Sequence, residues 1–202
     1  MTVLEFDTPH GRANAHLHPA DEATAVLVLG HGAGGGVTAR DLVAATNAAR
    51  EVGVSVVLVE QPYRVAGRRS PAPAHQLDAA WTAVVDQLLE GELRGLLLIA
   101  GGRSSGARVA CRTAGATGAA GVLCLAFPLR PPRRSSPAPS RLPELEGVTV
   151  PTLIVQGSRD PFGMPPAGPR RTVVQVAADH GLKTDLETVA AAVRDWLPHV
   201  VG

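Results

Sequence analysis

This chain of 202 residues has few cysteines, few lysines and no long apolar run, and each scarcity excludes a class of protein. Its two cysteines, Cys111 and Cys124, are isolated and lie among apolar neighbours, a pattern typical of buried thiols rather than of disulfides or metal ligands. Lys183 is the only lysine and the formal net charge is +1, so the composition favours neither nucleic acid nor an anionic membrane surface as a partner.

No apolar run reaches the roughly 18 residues of a membrane-spanning helix, and no basic and apolar leader opens the chain. We therefore expect a cytoplasmic protein that does not bind a membrane. The composition is 45% hydrophobic and 18% charged, which is typical of a globular protein, and the length suits one domain over residues 1–202. None of the seven histidines shows the spacing of a metal site, so we expect no metal and no organic cofactor.

Continuous apolar runs, separated by amphipathic stretches, dominate the pattern of the chain. Such runs are typical of strands buried on both faces of a parallel sheet. The predicted strands are residues 24–29, 55–59, 96–100, 122–126 and 152–155, with a shorter edge candidate at 172–176. Residues 2–18 alternate around Pro9-His10-Gly11, which predicts an antiparallel hairpin at a sheet edge.

Helical periodicity fills the segments between these strands. The predicted helices are residues 39–52, 74–89 and about 182–200. Trp81 and Trp196 lie on the apolar faces of two of these helices, which indicates core packing. The alternation predicts an α/β fold with a doubly wound, mostly parallel sheet. Residues 128–143 are rich in proline and arginine and predict an irregular surface loop beside the site.

The most informative segment is LLLIAGGRSSGARVA, residues 96–110, which predicts a strand, a sharp turn and a helix. Gly102, Ser104 and Gly106 fit the nucleophile-elbow pattern G-x-S-x-G. A serine in such a strained turn needs almost no side chain two residues before and after it, since strand and helix would otherwise collide. The neighbouring Ser105 would place Arg103 at one of these positions, so Ser104 is the predicted nucleophile.

Two further polar residues follow predicted strands. Asp160 comes after the strand at 152–155, and His180 lies just beyond the strand at 172–176. The chain order Ser, Asp, His is that of the α/β-hydrolase scaffold. His180 would accept the proton of Ser104, and Asp160 would orient the imidazole and stabilise its charged form. Asp179 is the alternative acid, although adjacent residues tend to point apart.

The segment GHGAGGG, residues 30–36, follows the first central strand. Backbone N–H groups in a glycine-rich turn at this place stabilise the oxyanion that forms during acyl transfer. We assign these donors to Ala33 or Gly34, together with Ser105, the residue after the nucleophile. His31 is interpreted as a structural residue of the turn.

The same glycines support an alternative. Gly30, Gly32 and Gly35 match G-x-G-x-x-G, and Glu60 ends the next predicted strand, as in a dinucleotide-binding site. This interpretation would make the protein an oxidoreductase, but it leaves the serine, aspartate and histidine motifs without an explanation.

Taken together, GHGAGGG, EQPYRVAGRRSPAP, GGRSSGARVA, CLAFPLRPP, VQGSRDPFG and ADHGLK resemble the small α/β-hydrolases without a cap domain that are related to dienelactone hydrolase. The resemblance covers nearly the whole chain and is strongest to the bacterial branch of the testis-expressed-protein-thirty-like family. It implies a core of eight strands with Ser104, Asp160 and His180 as the catalytic triad. Dienelactone hydrolases carry a cysteine nucleophile, so the resemblance does not imply a lactone substrate.

Residues beside these motifs are candidates for contact with a substrate. They are Tyr63 and Arg64, which follow the second central strand, and Phe127 and Phe162, which flank the predicted catalytic loops. Arg130, Arg133 and Arg134 could attract a carboxylate-bearing substrate, but codon bias and a solvated loop explain them more simply.

The sequence therefore predicts a serine hydrolase, an esterase or thioesterase, that acts on small or medium carboxylic esters or thioesters. Its partner would be a small-molecule substrate rather than nucleic acid or a membrane. A hydrolase fold that serves as a scaffold or binding module with an idle triad is the alternative of a different class.

Overall fold

A computed structural model describes residues 2–131 and 139–202 of the chain. Within these residues, eight strands form one sheet in the order β1-β2-β4-β3-β5-β6-β7-β8. The strands are β1 (Thr2–Thr8), β2 (Gly11–His18), β3 (Ala25–Gly30), β4 (Val54–Glu60), β5 (Leu97–Arg103), β6 (Gly121–Leu125), β7 (Thr152–Gly157) and β8 (Arg171–Val176). The hairpin pairs antiparallel within itself and with β4, and all other pairings are parallel. The predicted α/β fold with an edge hairpin is confirmed.

Helices cover both faces of the sheet. They are α1 (Arg40–Glu51), α2 (Pro62–Val65), α3 (Ala74–Glu90), α4 (Ser105–Thr113), α5 (Leu142–Glu146) and α6 (Leu186–Val201). Alternate residues of each strand point to opposite faces, so the core divides into two clusters. One cluster packs α3 and α4 against residues such as Val26 and Val28, and the other packs α1 and α6 against residues such as Leu27 and Leu29. The carboxyl ends of the parallel strands therefore meet at one edge, where ligands bind in folds of this kind.

Two predicted boundaries differ from the structure by three residues or more. Strand β5 continues to Arg103, three residues beyond the predicted end, because it is paired on both sides and Gly101 fits closely against the carbonyl of Leu123. Helix α6 begins at Leu186 rather than near residue 182, because Leu182 and Asp185 adopt positive φ angles of 44° and 56°. These residues close the loop that carries His180.

The tryptophans and cysteines pack largely as predicted. Trp81 is fully buried, whereas Trp196 is partly exposed and packs against Gly121. Cys111 and Cys124 are free buried thiols with their sulfur atoms 3.5 Å apart. Of the predicted loop at 128–143, residues 132–138 lie outside the described residues, and the segment ends in α5. No helix in the described part of the chain is long and apolar enough to cross a membrane.

Candidate active site

Ser104 lies at the apex of the turn between β5 and α4. Its backbone angles are φ 53° and ψ −107°, in a region that residues with a side chain rarely adopt. Backbone strain of this kind costs about 1–3 kcal/mol and persists only where the surroundings enforce it. The N–H of Ser104 donates to the carbonyl of Leu125 at the end of β6 (2.8 Å), which fixes the turn to the sheet. Ser105 is the first residue of α4 and is not at the apex.

The glycines on either side of the turn, Gly102 and Gly106, leave no room for a side chain, as the G-x-S-x-G pattern predicted. A Cβ atom on Gly102 would lie 2.6 Å from the carbonyl oxygen of Gly30 and from the backbone of Gly106. A Cβ atom on Gly106 would overlap the backbone of Gly30. The strand, the turn and the first turn of the helix can approach one another only because both positions lack a side chain.

A chain of hydrogen bonds joins Ser104 to His180 and Asp160. The Oγ atom of Ser104 lies 2.9 Å from Nε2 of His180, and Nδ1 of His180 lies 2.8 Å from Oδ2 of Asp160. A carboxylate accepts, so Nδ1 carries a proton and Nε2 is free to accept the serine hydroxyl. The Asp160 side chain is fully buried and that of His180 is 19% exposed. The arrangement can therefore remove the serine proton at a site that a substrate can reach.

Sequence analysis missed the residue that holds Asp160 in place. The side-chain nitrogen of Gln156, a fully buried residue of β7, lies 2.9 Å from Oδ2 of Asp160. The N–H of Phe162 donates to Oδ1 of the same carboxylate (2.9 Å). A polar residue inside an otherwise apolar strand, four positions before Asp160, was the available signal. The alternative acid, Asp179, is exposed, and its Oδ1 accepts from the N–H of Gly181.

The two phenylalanines predicted beside the site lie in different surroundings. The ring of Phe162 is half-buried and packs against the imidazole of His180, with ring centroids 4.2 Å apart. Phe127 is fully buried in the core, because the chain turns inward after β6. The Phe127 side chain therefore does not border the cleft, in contrast to its predicted position.

The glycine-rich segment after β3 forms a turn beside the serine. The N–H of Gly35 donates to the carbonyl of Gly32 (3.2 Å), which places Ala33 and Gly34 at the centre of the turn. The hydroxyl of Tyr63 donates to the carbonyl of Ala33 (2.9 Å). Tyr63 is only 6% exposed, and its hydroxyl supports this turn. Burial raises the pKa of Tyr63 to about 12, so the hydroxyl keeps its proton.

His31 makes backbone hydrogen bonds with both of its ring nitrogens. Its Nε2 accepts from the N–H of Gln61 (3.1 Å), so Nδ1 donates to the carbonyl of Gly32 (2.8 Å). Burial lowers the pKa of His31, which favours this neutral form. Both bonds join the turn to the segment after β4.

Two of the three glycines of the dinucleotide alternative, Gly30 and Gly32, face protein rather than open space. A Cβ atom on Gly30 would lie 3.2 Å from Cα of Gly106, and one on Gly32 would lie 2.7 Å from the guanidinium of Arg103. A dinucleotide fingerprint leads directly into a helix, whereas α1 begins only at Arg40. The packing of the chain on itself explains Gly30 and Gly32.

The arginines predicted near the site are dispersed. Arg64 is half-buried, and its Nη1 lies 3.4 Å from the carbonyl of Arg68. Arg130 is exposed, and Arg133 and Arg134 lie outside the described residues. Arg103, which the sequence presented only as a bulky neighbour, donates from Nη2 to the carbonyl of His180 (2.8 Å).

A cavity of about 480 Å³ lies at the same edge of the sheet, between the hairpin turn, α2 and α3. Tyr63 and Arg68 contribute to its lining, but Ser104 and His180 do not. Within the described residues, no group of three or more acidic, histidine or cysteine side chains is placed to hold a metal ion.

Comparison with known proteins supports the fold. Structures with similar folds include XC6422 from Xanthomonas campestris, an α/β serine hydrolase without a lid (TM-score 0.74, 20% identity, 98% of this chain and 95% of that chain). Est1E from Butyrivibrio proteoclasticus has a TM-score of 0.79 at 16% identity, covering 98% of each chain. Dienelactone hydrolase from Anabaena variabilis has a TM-score of 0.78 at 16% identity, covering 98% of this chain and 96% of that chain.

A search of curated proteins found no match. The alpha/beta hydrolase domain family matches residues 23–188, which include the glycine-rich turn, the serine elbow and the loop that carries His180. The chain therefore belongs to the alpha/beta hydrolase domain family.

Proposed function

We propose that this protein is a serine hydrolase that cleaves small or medium carboxylic esters or thioesters through an acyl-serine intermediate. The observation that carries the proposal is the hydrogen-bonded chain from Ser104 through His180 to Asp160, which begins at a strained turn. An isolated serine hydroxyl is a weak nucleophile, and a neighbouring imidazole base is the usual means of activating it.

In the first half of the reaction, Oγ of Ser104 attacks the carbonyl carbon of the substrate while its proton moves to Nε2 of His180. The bond to the leaving group then breaks, and His180 returns the proton to the departing alcohol or thiol. Asp160 holds the imidazole in the required tautomer and stabilises its positive charge. In the second half, a water molecule attacks the acyl-serine by the same proton transfers and releases the acid.

Negative charge develops on the carbonyl oxygen in both halves. We assign its stabilisation to the backbone N–H of Ala33 or Gly34 in the turn after β3, and to that of Ser105. Ser105 lies in the first turn of α4, where backbone N–H groups have no acceptor within the helix. A well-placed donor of this kind contributes about 10²–10³ in rate. Tyr63 and His31 hold the turn from its other side.

Similar structures support an ester or thioester substrate. Est1E has been solved with ferulic acid bound, and another neighbour is an esterase domain from a Rhodothermus marinus protein. We also propose that the chain falls within the testis-expressed-protein-thirty-like branch of the family, on the motifs quoted above. Phe162, beside His180, is the residue we expect to border the bound substrate.

A fluorophosphonate probe tests the proposal without knowledge of the substrate. Such a probe reacts with a serine that a base and an oxyanion site activate, so we expect one adduct on wild-type protein, mapped to Ser104 by peptide mass spectrometry. Ser104→Ala should abolish labelling and lower the turnover of short p-nitrophenyl esters by about 10⁴–10⁶-fold. Ser105→Ala is the matched control, because it removes the adjacent hydroxyl and keeps the backbone N–H.

Circular dichroism and thermal unfolding must show that Ser104→Ala remains folded. An adduct on Ser105, or labelling that persists in Ser104→Ala, would show that the nucleophile is wrongly assigned. A folded wild-type protein that forms no adduct and hydrolyses no ester would favour the idle scaffold instead.

A further inference from the structure

We propose that Arg103 is a positioning residue of this active site, which holds the His180 loop and the glycine-rich turn together by means of a guanidinium paired with Asp41. The proposal rests on the function proposed above and identifies a group that does not touch the substrate. Arg103 is the last residue of β5 and directly precedes Ser104.

The guanidinium of Arg103 contacts both loops that flank Ser104. Its Nη2 donates to the backbone carbonyl of His180 (2.8 Å). Its Nη1 lies against Gly32, where a Cβ atom would be 2.7 Å from that nitrogen. Gly32 thus lacks a side chain because Arg103 occupies the space. A single planar group therefore connects the base loop to the oxyanion turn.

Asp41, in the first turn of α1, supplies the opposite charge. Asp41 is only 1% exposed. Its Oδ2 lies 3.3 Å from Nε of Arg103, in an ion pair without a well-aligned hydrogen bond. Its Oδ1 accepts from the N–H of Leu42 (3.0 Å). Burial raises the pKa of Asp41, and the positive charge of Arg103 opposes this shift. Removal of Arg103 would leave the carboxylate buried without a partner, which is strongly unfavourable.

Only arginine has the geometry for these contacts. The guanidinium presents Nε and both Nη groups along different edges of a plane, so it can face Asp41, Gly32 and His180 at once. The single ammonium of a lysine cannot reach an acid on one side and a carbonyl on the other with the same fixed geometry. Arg103→Lys should therefore restore only part of the function.

Arg103 affects the reaction through the position of the His180 imidazole relative to Ser104. The imidazole of His180 must stay within hydrogen-bond distance of Ser104, at 2.9 Å in this structure. Besides Arg103, the loop that carries it is held by the bond from Nδ1 of His180 to Asp160 (2.8 Å), by the bond from the N–H of Arg159 to the carbonyl of Ala178 (3.0 Å) and by short-range turns. A displacement of reacting groups by about 1 Å costs on the order of 10²-fold in rate.

A single and a double variant separate an effect on the position of His180 from an effect on folding. Arg103→Met removes the donors and leaves Asp41 unpaired, so it should lower both the melting temperature and the rate. Asp41→Asn combined with Arg103→Met removes the buried charge, so it should recover most of the melting temperature but not the rate. We expect fluorophosphonate labelling and kcat about 30–100-fold below wild type in both variants, with KM changed by less than about twofold.

Arg108→Met is the matched control. Arg108 lies on α4, and its side chain forms a bidentate ion pair with Glu144 of α5 (2.9 and 2.6 Å). This variant should lose stability while keeping kcat. If the compensated double variant labels at the wild-type rate, the Arg103 proposal is wrong, and its role is confined to neutralising Asp41.

Amide hydrogen exchange tests, independently of activity, whether Arg103 holds the His180 loop. The amides of Gly181 and Leu182 should exchange at least about tenfold faster in Arg103→Met and in the double variant than in Arg108→Met, because local opening of the loop becomes easier. Unchanged exchange at both amides in the double variant would overturn the proposal. If the wild-type protein shows neither labelling nor ester turnover, the proposed function fails, while the exchange comparison still shows whether Arg103 holds the loop.

Discussion

Two glycine-rich turns lie side by side at the carboxyl edge of the sheet, and some of their glycines differ sharply in how closely they are packed. In the turn from β5 to α4, Gly102 and Gly106 are packed so closely that neither position can hold a Cβ atom. In the loop from β3 to α1, Gly34 and Gly36 have nothing within 4 Å of the place where a Cβ atom would stand. The same residue type is a steric necessity at Gly102 and Gly106 but not at Gly34 and Gly36.

The difference shows where each turn gets its shape. Local crowding fixes the first turn, which forces Ser104 to φ 53°. The second is held by Tyr63 and Arg103 from distant segments, and by its own His31, which accepts from the N–H of Gln61. A substitution should therefore damage the first turn through its glycines and the second through its supporting side chains.

Gly106→Ala should have the largest effect on stability. The added methyl group would overlap the backbone of Gly30 and force β3 away from α4. Overpacking of this kind costs about 3 kcal/mol. Urea unfolding followed by circular dichroism measures the loss, and a change below about 0.5 kcal/mol would mean that the two elements separate more easily than the packing indicates.

Ser104→Gly should stabilise the protein by about 1 kcal/mol, because glycine adopts the backbone angles at this position without strain. Ser104→Ala keeps the strain and should leave stability almost unchanged. Differential scanning calorimetry on the two variants isolates the backbone contribution, since both lack the hydroxyl. Equal melting temperatures would show that the turn is not strained.

Tyr63→Phe should slow ester hydrolysis about fivefold, since a single neutral hydrogen bond contributes about 1 kcal/mol. The variant keeps the buried ring and loses only the bond to the carbonyl of Ala33. Steady-state kinetics should place the loss in kcat. A change confined to KM would instead indicate that Tyr63 contacts the substrate.

Gly36→Ala should have the smallest effect, with stability within about 0.5 kcal/mol of wild type. Gly36 does not have a positive φ angle, and the space around it is open. The same urea titration as for Gly106→Ala provides the direct comparison. A loss as large as that of Gly106→Ala would remove the distinction between the two turns.

Features that depend on short spacing along the chain, or on the direction of parallel strands, could be predicted from the sequence. Buried apolar runs predicted the strands, and the G-x-S-x-G spacing predicted the sharp turn at Ser104. Because parallel strands end at one edge, the positions of Asp160 and His180 after their strands predicted that they would meet the serine, and the structure brings the three together.

Contacts between distant segments were not predictable in this way. No local pattern shows that Arg103 faces Asp41, or that Gln156 points from β7 to Asp160. The inward positions of Tyr63 and Phe127 also depend on packing that only the assembled sheet provides. Helix α6 begins late because the loop after β8 uses left-handed residues, which its helix-compatible sequence does not reveal.

The order of Ser104, Asp160 and His180 along the chain has a consequence for synthesis on the ribosome. The strained turn at Ser104 is translated well before the segment that contains His180, and the imidazole reaches the serine only once β8 has joined the sheet beside β7. A nascent chain that stops short of this point carries a serine without its base. The proposed hydrolytic activity would therefore report that the carboxyl-terminal half of the sheet has been completed.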